Sequence, residues 1–196
     1  MTRPAPVSAG NGTHPLSRLG QVGRALAARW PTCFALAFAA VNLADLKDGR
    51  ELAVVVLLSA MVYQACALAG RRGVAWPALG VLVAVLFGFR VLDGDPWPVL
   101  VGTALVLVVG SLLAGRFRGA PPAGWQVPAM LAFGALAVTA EYVVPGAAGY
   151  LVAGALIAHA VWDWHHWRAN AVVSRSLAEW CGVLDLTLGV GILILL

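Results

Sequence analysis

The chain has 196 residues, of which 61% are hydrophobic and only 11% charged, with a mean hydropathy of +0.85. An ordinary soluble domain is about 45–50% apolar and about 25% charged, so this composition excludes a soluble globular protein and points to lipid as the solvent. The net charge of +4 and the pI near 9.4 do not indicate nucleic acid. The arginines stand in pairs between apolar runs rather than on one basic stripe, which is how a membrane protein fixes its orientation.

The first segment, residues 1–29, is rich in Pro, Gly and Ser and carries Arg3, Arg18, Arg24 and Arg29. Its opening part has too little apolar surface to order itself, and the segment reads as a disordered, basic cytoplasmic tail. It has no apolar stretch followed by a small-residue cleavage site, so no cleaved signal peptide is expected. Seven apolar runs follow: Pro31 to Leu46, Glu51 to Ala69, Val74 to Leu92, Trp97 to Ala114, Trp125 to Val144, Ala147 to Trp167 and Ser176 to Leu196. A span needs about 17–25 residues, which six runs satisfy; the first is short and holds Asn42 and Asp45 near its end. The loops leave no room for a soluble domain. The expectation is an all-α polytopic bundle of about seven transmembrane helices, forming a single domain over residues 30–196.

The loop charges orient it. With seven spans, the four tail arginines, Arg71 and Arg72, Arg116 and Arg118, and Arg168 and Arg175 all fall on one side. The other side receives Lys47, Arg50 and Arg90, offset by Asp45, Asp48, Glu51, Asp93 and Asp95. The arginine side is expected to be cytoplasmic. Trp30, Trp76, Trp97, Trp125, Trp167 and Trp180 lie near run ends, as an interfacial aromatic belt would place them. Lys47 is the sole lysine among abundant Arg, Ala, Gly, Val and Leu, a bias that suggests a GC-rich bacterial genome and hence a bacterial inner membrane.

Several chemistries are excluded. A retinal Schiff base needs a lysine in the last helix, and Lys47 lies in a loop. A haem clamped by two imidazoles needs histidines on two helices at matching depth, and only His159 sits well inside a run. Ser59 and Ser111 lack the context of an intramembrane serine nucleophile, and no phosphate-cradling glycine motif is present. Cys33, Cys66 and Cys181 are isolated within apolar runs, without disulfide or zinc-site spacing.

The sixth run closes with His159-Ala-Val-Trp-Asp163-Trp-His165-His166-Trp-Arg168. On a helix His159, Asp163 and His166 fall within about 60° of one another, and Ala148 and Ala155 extend that face. A face of small and ionisable residues belongs inside the bundle; His165 points roughly 100° away. The seventh run starts on the same side, so Glu179, Cys181 and Asp185 lie at similar depth. Its Ala178, Gly182, Asp185 and Gly189 form a close-packing face. Tyr63 and Gln64, near the end of the second run, share the level.

Imidazole and carboxylate at one depth suit a divalent transition metal such as Zn, Fe or Mn. The candidate ligands are His159, Asp163, His166 and Asp185, with Glu179 as a general base. A span of i to i+7 rises about 10.5 Å, so one helix does not supply all three of its candidates to one ion. The corresponding function is a metal-dependent membrane enzyme acting on a lipid or other lipophilic small molecule. Two further readings stand beside it: a proton-coupled carrier of small solutes, and a structural or accessory protein whose polar network locks helices together. A second polar group, Asn42, Asp45, Arg90 and Glu141, lies at the opposite end. There Arg90 is expected to pair with Asp45 or Glu141, because an unpaired charge is costly.

The stretch His159-x-x-Trp162-Asp163-x-His165-His166, followed by Val172-Val173, Ser176-Leu177, Cys181 and Asp185, resembles the C-terminal segment of small bacterial integral membrane proteins grouped as a family of unknown function. The resemblance covers the chain from His159 onward. In the family pattern the paired histidines stand one residue further from the aspartate and the Ser-to-Asp spacing differs, which leaves open whether His165 or His166 is the match. The resemblance implies a membrane location and a polar C-terminal site, and no activity.

Overall fold

The computed structural model describes residues 20, 23–24, 27–142 and 147–196. Most of the tail expected over residues 1–29 lies outside these described residues. Among them the chain forms seven α-helices and no strand: α1 Trp30–Ala44, α2 Ala53–Ala69, α3 Ala75–Val91, α4 Trp97–Leu113, α5 Gln126–Tyr142, α6 Ala147–Ala169 and α7 Arg175–Leu195. Single 3₁₀ turns, Arg50–Leu52, Arg72–Val74 and Ala123–Trp125, lead into α2, α3 and α5.

The helix ends follow local chemistry. Gly70 closes α2 in the left-handed region at φ 65°, which lets the chain reverse at once. Asp95 accepts a hydrogen bond from the Trp97 backbone N–H at 3.0 Å, opening α4, where a proline also stands in the first turn. Ser174 caps α7 by accepting from the Leu177 N–H at 3.4 Å.

Four segments are long and apolar enough to cross a membrane: Arg50–Ala69, Arg72–Val91, Ala123–Tyr142 and Arg175–Leu195. Six full spans were expected, and two of those runs differ for separate reasons. Helix α4 has 17 residues, about 26 Å of rise against a hydrocarbon core of about 30 Å. Helix α6 is the longest at 23 residues, but its His- and Asp-bearing end lowers its apolar character. The first run is the short one: α1 has 15 residues, about 22 Å.

Helix α2 is the centre of the bundle, with 72% of its apolar window buried, whereas α3 is peripheral at 11%. Helix α2 packs chiefly on α5 and also touches α3, α4 and α6; α7 is sandwiched between α6 and α1. Trp180 is not an exposed anchor. It is buried on α7, stacked on Phe34 of α1 at 5.7 Å and against Trp76 at 5.8 Å, because α1 covers that face of α7.

At the two ends the loops segregate by charge. Residues 70–72, 114–119 and 170–172 meet at one end, bringing Arg71, Arg72 and Arg116 together. Asp48, Arg50, Glu51 and Glu141 meet at the other. Arg90 is exposed and forms an ion pair with neither Asp45 nor Glu141, since α3 lies at the edge of the bundle. Asn42 donates instead to the Phe38 carbonyl of its own helix at 2.8 Å.

Candidate metal centre

The close approach of α6 and α7 builds the site. A Cβ added at Gly189 would lie 2.8 Å from Ile157 Cγ1 and 3.0 Å from the Ala153 carbonyl oxygen, and one at Gly182 would lie 3.2 Å from Asp163 Cβ. Glycine at these two positions lets the helix backbones meet, as small residues do between membrane helices. That contact carries Asp185 of α7 onto His159 of α6.

His159 Nδ1 lies 2.9 Å from Asp185 Oδ2 and 3.2 Å from Asp163 Oδ2. All three side chains are fully buried. One ligand atom from each falls within 4.8 Å of the other two. From α2, the Tyr63 hydroxyl donates to Asp163 Oδ1 at 2.6 Å. The His159 ring is flanked edge-on by Phe133 of α5 at 4.8 Å and by Tyr63 at 5.4 Å. Two polar atoms of this cluster, His159 Nε2 and Asp185 Oδ1, are buried without a hydrogen-bond partner among the described residues.

The donor set suits a divalent ion, because two carboxylates and a divalent cation are jointly neutral. Without a positive partner, two buried carboxylates would each cost several kcal/mol, as an order of magnitude.

His166 is placed differently. Its Nδ1–H donates to the Trp162 carbonyl at 2.8 Å, and its Nε2 accepts from the Gln126 side-chain amide at 2.8 Å. Both ring nitrogens are thereby occupied, and His166 stands outside the trio as a neighbour of Tyr63, 4.9 Å away between ring centres. His165 is exposed. Glu179 also stands apart: it accepts from Thr32 Oγ1 at 2.7 Å and lies 3.5 Å from the Arg29 guanidinium, facing α1. It lines a cavity of about 550 Å³ on the outer flank of α6 and α7, whose walls include Val161, Trp164 and Leu186. Ala160 and Gly182 belong to that wall too, and a Cβ added at Gly182 would stand 3.2 Å from Asp163 Cβ, so the wall adjoins the trio at this residue.

The sequence puts His159, Asp163 and Asp185 on facing helices, and the structure brings them together. Tyr63 is recognisable in the sequence only as a residue at the same depth. Gln126 and Thr32, which hold His166 and Glu179, carry no sequence signal, because their partners are 40 and 147 residues away. Comparison with family models, curated proteins and solved structures finds no match to this chain.

Proposed function

We propose that this is a multi-pass protein of a bacterial inner membrane, with a divalent transition metal held by His159, Asp163 and Asp185, acting on a lipophilic substrate. The observation that carries the reading is the fully buried trio, in which a ring nitrogen and a carboxylate oxygen have no partner among the described residues. Buried polar atoms are nearly always satisfied, and unsatisfied ones mark an ion, a water or a chemical role. Tyr63 acts on the metal through Asp163, fixing the carboxylate as hydrogen-bonded partners of metal ligands generally do. Zn, Fe and Mn all accept one imidazole with two carboxylates. A bound ion of this kind lowers the pKa of coordinated water and polarises a substrate oxygen. The apolar cavity behind Gly182 supports a lipophilic substrate, with Glu179 at its Arg29 end as the proton acceptor.

A proton-carrier reading has one observation in its favour: the side chains of His159, Asp163 and Asp185 are fully buried. An imidazolium with one ionised and one protonated carboxylate is also neutral, and protons need no cavity. Elemental analysis of the detergent-purified chain separates the two. The metal reading requires stoichiometric metal in the natural protein and its loss in His159→Ala. Absence of metal, with proton flux in liposomes abolished by Asp163→Asn, would replace it with the carrier.

A further inference from the structure

The loops at residues 70–72, 114–119 and 170–172 enclose a second cavity, of about 520 Å³, at the end of the bundle away from Asp48 and Glu141. Arg71, Arg72 and Arg116 line it, and no Asp or Glu does. Arg72 is fixed by donating from Nη1 to the Asn170 carbonyl at 2.5 Å. The side chains of Arg71 and Arg116 make no hydrogen bond or ion pair among the described residues. Three exposed arginines therefore line one cavity whose lining holds no carboxylate, an arrangement that favours an anion.

The backbone around the cavity is shaped for it. Gly70 and Gly115, both at φ 65°, and Asn170 at φ 47° and Val172 at φ 68° all line it. A β-branched residue in the left-handed region is a real outlier, and strain of this kind collects at ligand-binding sites. Gly70 lies beside the Arg116 guanidinium: a Cβ there would stand 3.4 Å from Nη2. We infer that this cavity binds a phosphate group.

Phosphate fits for reasons of number and shape. It carries up to two negative charges and several acceptor oxygens, and guanidinium forks meet phosphate oxygens in pairs. A carboxylate neutralises one arginine and leaves two. The cavity also lies at the ends of apolar helices, where basic pockets between membrane helices take anionic lipid phosphates. Gly70 and Asn170 each stand seven residues beyond Tyr63 and Asp163 on their helices, so the phosphate sits about 10 Å from the buried trio. The inference stands on the three arginines and does not depend on the metal.

The test uses the full chain in neutral detergent with inorganic phosphate as probe, followed by phosphorus NMR. In parallel, nanodiscs of phosphatidylcholine with and without phosphatidic acid are used, followed by native mass spectrometry of retained lipid. Saturable phosphate binding in detergent identifies free phosphate or a soluble phosphoester as the ligand; selective retention of phosphatidic acid alone identifies a lipid headgroup. Either result supports the site if Arg71→Gln with Arg116→Gln weakens it by about tenfold or more. Arg71→Lys with Arg116→Lys keeps the charge that orients the chain but removes the forks, and should weaken binding as well. Arg118→Gln with Arg175→Gln removes equal charge outside the cavity and should change binding by less than about twofold. Binding of neither probe, or equal losses in the cavity and control pairs, would overturn the inference.

Discussion

Replacing Tyr63 with Phe removes a single oxygen, the one that donates to Asp163 Oδ1 at 2.6 Å in a fully buried site. The ring and its packing stay in place, so the change isolates the hydrogen bond. Its worth depends on the charge of Asp163. With a divalent ion bound, Asp163 is ionised, and a hydrogen bond to a charged group contributes about 1.5–3 kcal/mol. Without metal, protons neutralise the cluster, and a bond to a neutral carboxyl contributes about 0.5–1.5 kcal/mol. The difference, about 1–1.5 kcal/mol, is the share of metal affinity that depends on Tyr63. It corresponds to roughly a 5- to 15-fold rise in Kd. Competition against a chelator of known affinity, with purified protein in detergent, measures it. A companion titration in weakly buffered solution should show protons released as metal binds. An unchanged Kd in Tyr63→Phe, alongside a lower melting temperature, would mean that the bond matters equally with and without metal. That result would refute the positioning role and leave Tyr63 as a link between α2 and α6.

Other substitutions probe neighbouring parts of the argument. Asp185→Asn keeps an acceptor oxygen for His159 Nδ1 but removes one of the two negative charges. Metal affinity should fall by more than the about 10- to 100-fold that loss of an outer-shell partner costs, while the metal-free protein loses far less stability; equal effects on both would favour a purely structural network. Gly189→Val drives a branched side chain into Ile157 Cγ1 and the Ala153 carbonyl, 2.8 and 3.0 Å from the added Cβ. Overpacking of this kind costs about 1–3 kcal/mol, and because it moves Asp185 off His159, thermal stability and metal content should fall together. Glu179→Gln weakens a half-exposed ion pair with Arg29 and should cost less than about 1 kcal/mol, with metal content intact. Turnover of a lipophilic substrate should fall much further, and unaltered turnover would remove Glu179 from the chemistry. A reporter fused after Leu196 should read outside the cytoplasm if all seven helices cross; a cytoplasmic reading would mean that one, with α1 the shortest, does not.

The helices were legible because membrane segments advertise themselves. Six of the seven apolar runs end within two residues of a helix end, and the expected end of the fifth, Val144, lies outside the described residues. Asp45 closes α1 where the chain turns toward Gly49 at φ 79°. What composition did not show was how apolar character divides between lipid and protein. Trp180 near a run end reads as an interfacial anchor, yet α1 folds over it, since Phe34 and Phe38 offer it rings and an interface offers only headgroups.

The polar residues divide along the same line. Helical spacing places His159, Asp163 and His166 on one face, and nothing within α6 distinguishes the two histidines. The distinction comes from the facing helices: α7 presents Asp185 to His159, whereas α5 presents Gln126 to His166. An amide that donates to Nε2 while Nδ1–H is held by Trp162 leaves His166 neutral and without a free lone pair. A carboxylate at Nδ1 leaves the Nε2 of His159 unmatched instead. The choice between ligand and locked side chain is thus made by one partner residue, aspartate or glutamine, supplied from a different helix. If His166→Gln, which keeps a hydrogen-bonding group at that level, spares metal content while His159→Gln abolishes it, the partner rather than the histidine motif decides which residue binds.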